Sequence, residues 1–310
     1  MINYDLGEID DAINNFLKSI NANKKFLPSH SMLLNALCLT KYYDKSDFEL
    51  VNVHNKLKKI TLSFNPDEKI QNQKIKNYFK QINQVIDENL KNISFNFTQT
   101  YRRYNPPLKC DRHKTIFKEY NIIPEYCFNC YKIQINVSTV LDLIKLYFIF
   151  DNIELANKNT LKCMIEIRSS IENKYKGLIF CSSIKESENI KNILNRFLKI
   201  NIENYSIKIK RGCSEYSLIS DRYDDLTKNA LQYNPEWKKF EDLIDKKNPN
   251  FNFEKKTGPI EKGLSLFDAL VIRNWMAYAR LSDDQSYKYI TDKIFYSKFI
   301  ENRINNKNSN

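Results

Sequence analysis

From residue 131 onward the hydrophobic pattern of this 310-residue chain changes period, and no other feature narrows its fold as much. Residues 131–137 (Tyr-Lys-Ile-Gln-Ile-Asn-Val) alternate apolar and polar side chains, the period of a half-buried strand. Residues 138–153 form an apolar helix with Ser138 at its N-cap. Strands follow over 161–168 and 176–181, separated by a polar turn. Residues 183–200 place Ile190, Ile193, Leu194, Phe197 and Leu198 at helical spacing, and 205–211 alternate again as a last strand.

The order βαββαβ over about 80 residues is the ferredoxin-like arrangement, one sheet with two helices on one face and the other face open. Such an open face is a platform for single-stranded RNA, a small effector or another subunit. Residues 176–181, Lys-Gly-Leu-Ile-Phe-Cys, are similar to the third-strand motif of RNA-recognition modules. They depart from it where Leu178 and Ser183 stand at aromatic positions, which weakens base stacking as an expectation. Lys208, Lys210 and Arg211 add charge to the last strand.

Ahead of this unit the period is that of helices. In residues 5–23, Ile9, Ala12, Ile13, Phe16, Leu17 and Ile20 share one face, and Gly7 supplies the turn before them. With Gly7, Ile9, Asp11, Ala12, Phe16 and Ser19, the stretch resembles the second helix of a tetratricopeptide (TPR) repeat. Lys24 stands where that family has its closing Pro, and residues 1–6 supply only a remnant of the first helix. The expectation is therefore a chain that starts inside a repeat. Residues 29–37 and 46–54 are similar to the end of TPR arrays in bacterial proteins, so the resemblance covers about the first 60 residues and implies a protein partner. Similar segments lie ahead of glycosyltransferase domains, which implies a second possibility, an enzyme of protein or glycan modification. Ser46 and Glu49 have capping-box spacing, and Ile70 to Ile93 continue the 3.6-residue period. Residues 1–95 thus read as a helical solenoid fragment that needs a neighbour to cover its apolar face.

A linker, residues 96–130, carries the pattern Cys110-x2-His113-x13-Cys127-x2-Cys130. Two close pairs about a dozen residues apart suit tetrahedral zinc, with Cys110, His113, Cys127 and Cys130 as four ligands of a structural ion. Ordinary buried thiols and a redox pair are the alternatives. The same linker is basic, and Arg102, Arg103, Lys109, Arg112 and Lys114 form an electrostatic footprint for nucleic acid. His30 and His54 read as capping or core residues. Cys163 and Cys181 read as small core hydrophobes. Cys213, beside Arg211 and Glu215, is the position where a catalytic thiol would stand, because a cation stabilises thiolate.

The remaining composition acts as a filter. Only 5 glycines are present, and the nearest two, Gly258 and Gly263, precede Leu264, so neither a dinucleotide fingerprint nor a P-loop can be written. Three histidines form no HExxH motif. Lys and Arg (49) outnumber Asp and Glu (37), giving +12, with 42% apolar residues to build cores. Neither a signal pattern nor a membrane-spanning run occurs, and seven cysteines, an odd number, suit a reducing cytoplasm. Residues 216–300 read as helices packing on the α/β unit, opened by Asn234-Pro235 and by a Ser265–Asp268 capping box, and 301–310 as a flexible tail. The α+β chain so described is expected to be a TPR-like interaction or accessory protein with structural zinc, or alternatively an enzyme with its site near Arg211–Glu215, or a nucleic-acid-binding module.

Overall fold

The computed structural model describes residues 1–65, 67–90, 95–102, 110–168, 171–227, 229–252 and 258–305. Five helices come first: α1 (Ile2–Leu6), α2 (Ile9–Ala22), α3 (Leu27–Leu37), α4 (Glu49–Lys58) and α5 (Asn72–Asn89). Strand β1 (Gln99–Arg102) and helix α6 (Cys110–Tyr120) follow. The central segment runs β2 (Tyr131–Val137), α7 (Val140–Asn152), β3 (Leu161–Ile165), β4 (Tyr175–Cys181), α8 (Ile184–Asn201) and β5 (Tyr205–Arg211). Helices α9 (Lys238–Lys247), α10 (Leu266–Leu281) and α11 (Lys298–Asn305) complete the described chain. The class is α+β, with eleven α-helices and one five-stranded antiparallel sheet among the described residues.

The strands lie in the order β1-β3-β4-β2-β5. Alternation decides the sheet's two faces. Ile133, Ile135 and Val137 of β2, Leu161, Cys163 and Ile165 of β3, and Tyr175 and Ile179 of β4 turn toward α7 and α8 and are buried. Gly177 is required on that face, because a Cβ there would lie 2.5 Å from Leu146 Cδ2 and 3.0 Å from Phe150 of α7. The α7 cap is one residue later than the sequence suggests: Thr139, not Ser138, accepts from the Asp142 amide. Ser183 caps α8, and Ser265 with Asp268 forms the capping box of α10, where the sequence places them. Ser46 forms no capping box; its hydroxyl accepts from the Phe48 amide, and α4 starts at Glu49 without a side-chain cap.

The N-terminal helices do not stand apart as an arm. Their buried residues, from Ala12 to Leu90, belong to one continuous core with α7, α8 and α10. Helix α10 is buried on nearly all sides because it lies between α3 and α4, β1 and α7.

Below the sheet sits the main electrostatic anchor. Arg102 of β1, fully buried, donates to Asp151 of α7 and, at 2.8 Å, to Asp268 of α10. It also donates to the carbonyls of Glu261 and Gly263 and stacks over the Tyr147 ring, 4.8 Å from its centroid. Thr100 and Ser265 donate to Asp268. Burial pushes the Asp268 carboxyl up, but the Arg102 charge and those hydroxyls outweigh it and hold the group below its ordinary range. Arg102 is therefore not a nucleic-acid contact, as the sequence suggested, since its guanidinium is committed to the core. Removing one partner of a buried ion pair costs about 3 to 5 kcal/mol. Arg102→Met is expected to lose stability of that order in urea denaturation, against about 1 kcal/mol for Thr100→Val, where one hydrogen bond is lost.

His54 of α4 is fully buried, as expected of a core histidine. Burial, reinforced by the neighbouring Lys58 ammonium, lowers its pKa from 6.5 to about 4. The unfolded chain thus takes up this proton first, so the contribution of His54 is complete above about pH 6.5 and is lost as pH falls toward 4. The loss reaches on the order of 3 kcal/mol. His54→Leu is expected to reduce the drop in unfolding free energy between pH 7 and pH 4.5 by about 2 kcal/mol or more in paired denaturation curves.

A cationic groove on the open sheet face

The side chains that alternate away from the helices meet in one groove of about 930 Å³. Strand register sets them in rows. Tyr101, Lys162, Leu178, Gln134 and Lys208 form a row that crosses all five strands. Gln99, Met164, Lys176, Asn136 and Ser206 form a second. Phe180, Lys132 and Lys210 form a third. Lys114 of α6, Arg168 and residues 212–215 rim the groove. Among the described residues, seven basic side chains line it against three carboxylates, Glu166, Glu172 and Glu215.

These cations are not equivalent. Lys176 lies 3.4 Å from Glu166, and Arg168 grips the same carboxylate through two nitrogens at 2.8 and 2.9 Å. Hydrogen bonding from Arg168 is the main reason that Glu166 falls to about 2. Lys132 donates to the Gly212 carbonyl at 3.1 Å. Lys162 has no hydrogen-bonded carboxylate or carbonyl among the described residues; its ammonium lies 5.7 Å from the centre of the Tyr101 ring. Burial, and after it the Lys132 charge, lowers Lys162 to about 8. Lys208 and Lys210 are exposed. Two amines held close and part-buried are poorly solvated, which an arriving anion would relieve.

The cysteines converge on one end of the groove without forming a metal centre. Cys110 and Cys213 line it, and the Cys130 sulfur packs against Gly212, leaving no room for a Cβ there. Cys127 turns away into a small core with Phe128, Tyr216 and Tyr223, where its thiol donates to the Tyr216 hydroxyl at 3.7 Å. The His113 ring is buried and stacked on Tyr126, with centroids 5.2 Å apart. Among the described residues no three His, Cys, Asp or Glu side chains are arranged to hold a metal ion, so the zinc spacing of Cys110, His113, Cys127 and Cys130 has no preformed site here. Gaps in the sequence spacing do not reveal that Cys127 and His113 are drawn into aromatic packing.

Arg211 and Cys213 are separated in sequence by Gly212 alone but work on opposite faces. Arg211 is buried beneath the sheet, donating to the Phe128 and Tyr223 carbonyls and to the Tyr131 hydroxyl, between the rings of Tyr131 and Tyr223. It gives no support to a thiolate at Cys213. Burial pushes that thiol up to about 12, with Cys110 and Glu215 adding to the effect. Glu215 lines the groove rim but has no activated nucleophile beside it. Arg112 is also withdrawn from any ligand, since it makes a bidentate pair with Asp245 at 2.6 and 2.8 Å and a third bond to Glu241 at 3.0 Å. Of the basic footprint expected from the linker, Lys114 reaches the groove, while Arg103 and Lys109 lie outside the described residues.

Lys132, Lys162 and Glu166 were not singled out from sequence. The signal for them was the phase of alternation: in each strand the residues between the core positions are the groove residues, once the strand order is known.

No protein-family model matches this chain, and neither a curated protein nor a solved structure does. No helix among the described residues is long and apolar enough to cross a membrane.

A thiol held near 12 is protonated at neutral pH and a poor nucleophile. Cys213 is expected to be alkylated by iodoacetamide at pH 7.5 at least tenfold more slowly than free cysteine. Peptide mass spectrometry against time measures this, and a faster reaction would restore the catalytic-thiol reading.

Proposed function

We propose that the open face of the sheet binds single-stranded nucleic acid. The observation that carries this reading is the convergence of seven basic side chains with the rings of Tyr101 and Phe180 in a single groove. Cations along a surface exchange condensed counterions for phosphates, which gives affinity without sequence preference. Part-exposed rings on a sheet accept bases by stacking, and only an unpaired strand presents its base faces. Five strands at about 4.8 Å spacing give a platform roughly 20 Å across, enough for a few nucleotides and too confined for a duplex to enter.

The fold reading supports the same assignment. We read residues 131–211 as a ferredoxin-like unit, on the strength of its βαββαβ element order, its strand order β3-β4-β2-β5 and its two helices on one face. Phe180 occupies an outward position of the strand similar to the RNA-recognition motif, so a stacking ring is present although Leu178 and Ser183 replace two others. We read α1 to α3 as a TPR-like fragment, supported by the left-handed turn at Gly7 (φ 82°) and by Ala12 and Ser19 at close helix contacts; Ser19 meets Ser29 of α3 at 2.7 Å. In this reading the helical segment serves first to carry the sheet, and any protein partner docks on what it leaves exposed.

Binding is expected with 12-nucleotide RNA or DNA single strands in fluorescence anisotropy, weakening steeply as KCl rises from 50 to 300 mM. Lys208→Glu with Lys210→Glu, both at exposed positions, is expected to weaken it at least tenfold. Phe180→Ala is expected to weaken it roughly 5- to 100-fold, since stacking contributes about 1 to 3 kcal/mol per base. Salt-independent binding, or affinity unchanged in the double lysine variant, would overturn the proposal.

A further inference from the structure

We infer that Lys162 is a nucleophilic amine within the groove, forming an imine with the aldehyde of a ring-opened abasic nucleotide in a bound strand. The inference rests on the reading of the groove as a strand-binding face, and adds a chemical step to it.

Lys162 differs from its neighbours in how it is held. Lys132 is tied to a backbone carbonyl and Lys176 to Glu166, whereas among the described residues the Lys162 amine, in the central row between Tyr101 and Leu178, donates to no acceptor and lies 5.7 Å from the centre of the Tyr101 ring. The groups that face it are Lys132 of β2, Cys110 and Lys114 of α6, Tyr101 of β1 and Glu166 of its own strand. Desolvation and an adjacent cation are the two devices that make a lysine amine nucleophilic near neutral pH. With its pKa at about 8, roughly a quarter of the amine is neutral at pH 7.5, against on the order of 0.1% for an ordinary lysine.

The carbonyl partner follows from the surroundings. A groove with so many cations selects a ligand rich in phosphate, and the intact strand offers no carbonyl open to an amine. A nucleotide that has lost its base does, because its deoxyribose opens to an aldehyde flanked by two phosphates. The Lys162 Nζ lone pair adds to the carbonyl carbon, forming the C–N bond. A proton passes from nitrogen to the former carbonyl oxygen, and loss of water leaves the imine. One water is produced for each amine and aldehyde, and no oxidant or reductant takes part.

The test incubates the whole protein with a single strand carrying one abasic site, an intact strand of the same length, or ribose 5-phosphate, each with sodium cyanoborohydride to reduce any imine to a stable amine. Expected is a covalent protein–strand adduct with the abasic strand alone, mapped to Lys162 by peptide mass spectrometry. Its yield per bound strand should rise at least threefold from pH 6.5 to pH 8.5. Lys162→Arg should reduce that yield at least tenfold, while Lys132→Gln, which removes the neighbouring charge, should still be trapped at Lys162 but with the rise in yield displaced to higher pH. Circular dichroism and melting of each variant separate loss of the amine from loss of folding. Adducts spread over many lysines, or unchanged in Lys162→Arg, would overturn the inference. So would the absence of an adduct when anisotropy shows the abasic strand bound, and that result would leave strand binding intact. Equal trapping of ribose 5-phosphate at Lys162, without binding of the intact strand, would overturn both the strand assignment and the groove reading.

Discussion

Arg102 is where the separate parts of this protein are joined. Its guanidinium, on a four-residue strand, reaches Asp151 at the end of α7, Asp268 in the first turn of α10 and two carbonyls of the loop before α10. Asp268 is at the same time the capping-box residue of α10, and Asp151 accepts from the Gly263 amide. One buried cation therefore fixes the edge of the sheet, the helix beneath it and the helix that contacts the N-terminal segment. A buried charge network has few alternative arrangements, because any other packing strands a charge in the core. Through α10, which packs on α3 and α4, the same network ties the N-terminal helices to the sheet.

The parts legible in the sequence were those written in local patterns. The strands 131–137 and 205–211 and the helix after Ser183 emerge with almost their exact limits, because period and cap coincide there. Helix α11 (Lys298–Asn305) runs into the stretch 301–310 expected to be a flexible tail, and two further elements were hidden. Strand β1 has four residues, Gln-Thr-Tyr-Arg, with polar groups on its buried side, so hydropathy marks no strand at all. Helix α6 begins at Cys110 and reads as a basic loop; its arginine and histidine are held by tertiary partners, Arg112 by α9 and His113 by the Tyr126 ring. Among the described residues the expected metal and thiol positions do not meet in a preformed site, for a related reason. Spacing along the chain records which residues are close in sequence, whereas the direction of each side chain depends on the aromatic core that Phe128, Tyr216 and Tyr223 assemble from distant segments.

The groove illustrates how a sheet converts sequence alternation into an electrostatic surface. No two of its strand lysines are adjacent in sequence, and no run of like charge marks them. Registration brings them within one surface, where burial and mutual repulsion lower the pKa of Lys132 and Lys162. Among the described residues Glu166 is where charge is best compensated: it ties Lys176 and Arg168 together at one corner and leaves that end less cationic than the other.

Strand β5 forms one edge of the sheet, and among the described residues no strand pairs with its outer side. Its seven residues, with Tyr205, Ile207 and Ile209 half-buried against the core, offer a backbone template on which a second copy could pair and begin to aggregate. Lys208 and Lys210 stand on that edge, and a like-charged neighbour approaching in register would have to bury them against their own counterparts. The charge pattern of β5 therefore disfavours edge-to-edge pairing between copies, a constraint that would favour lysine at these positions even in the absence of any ligand.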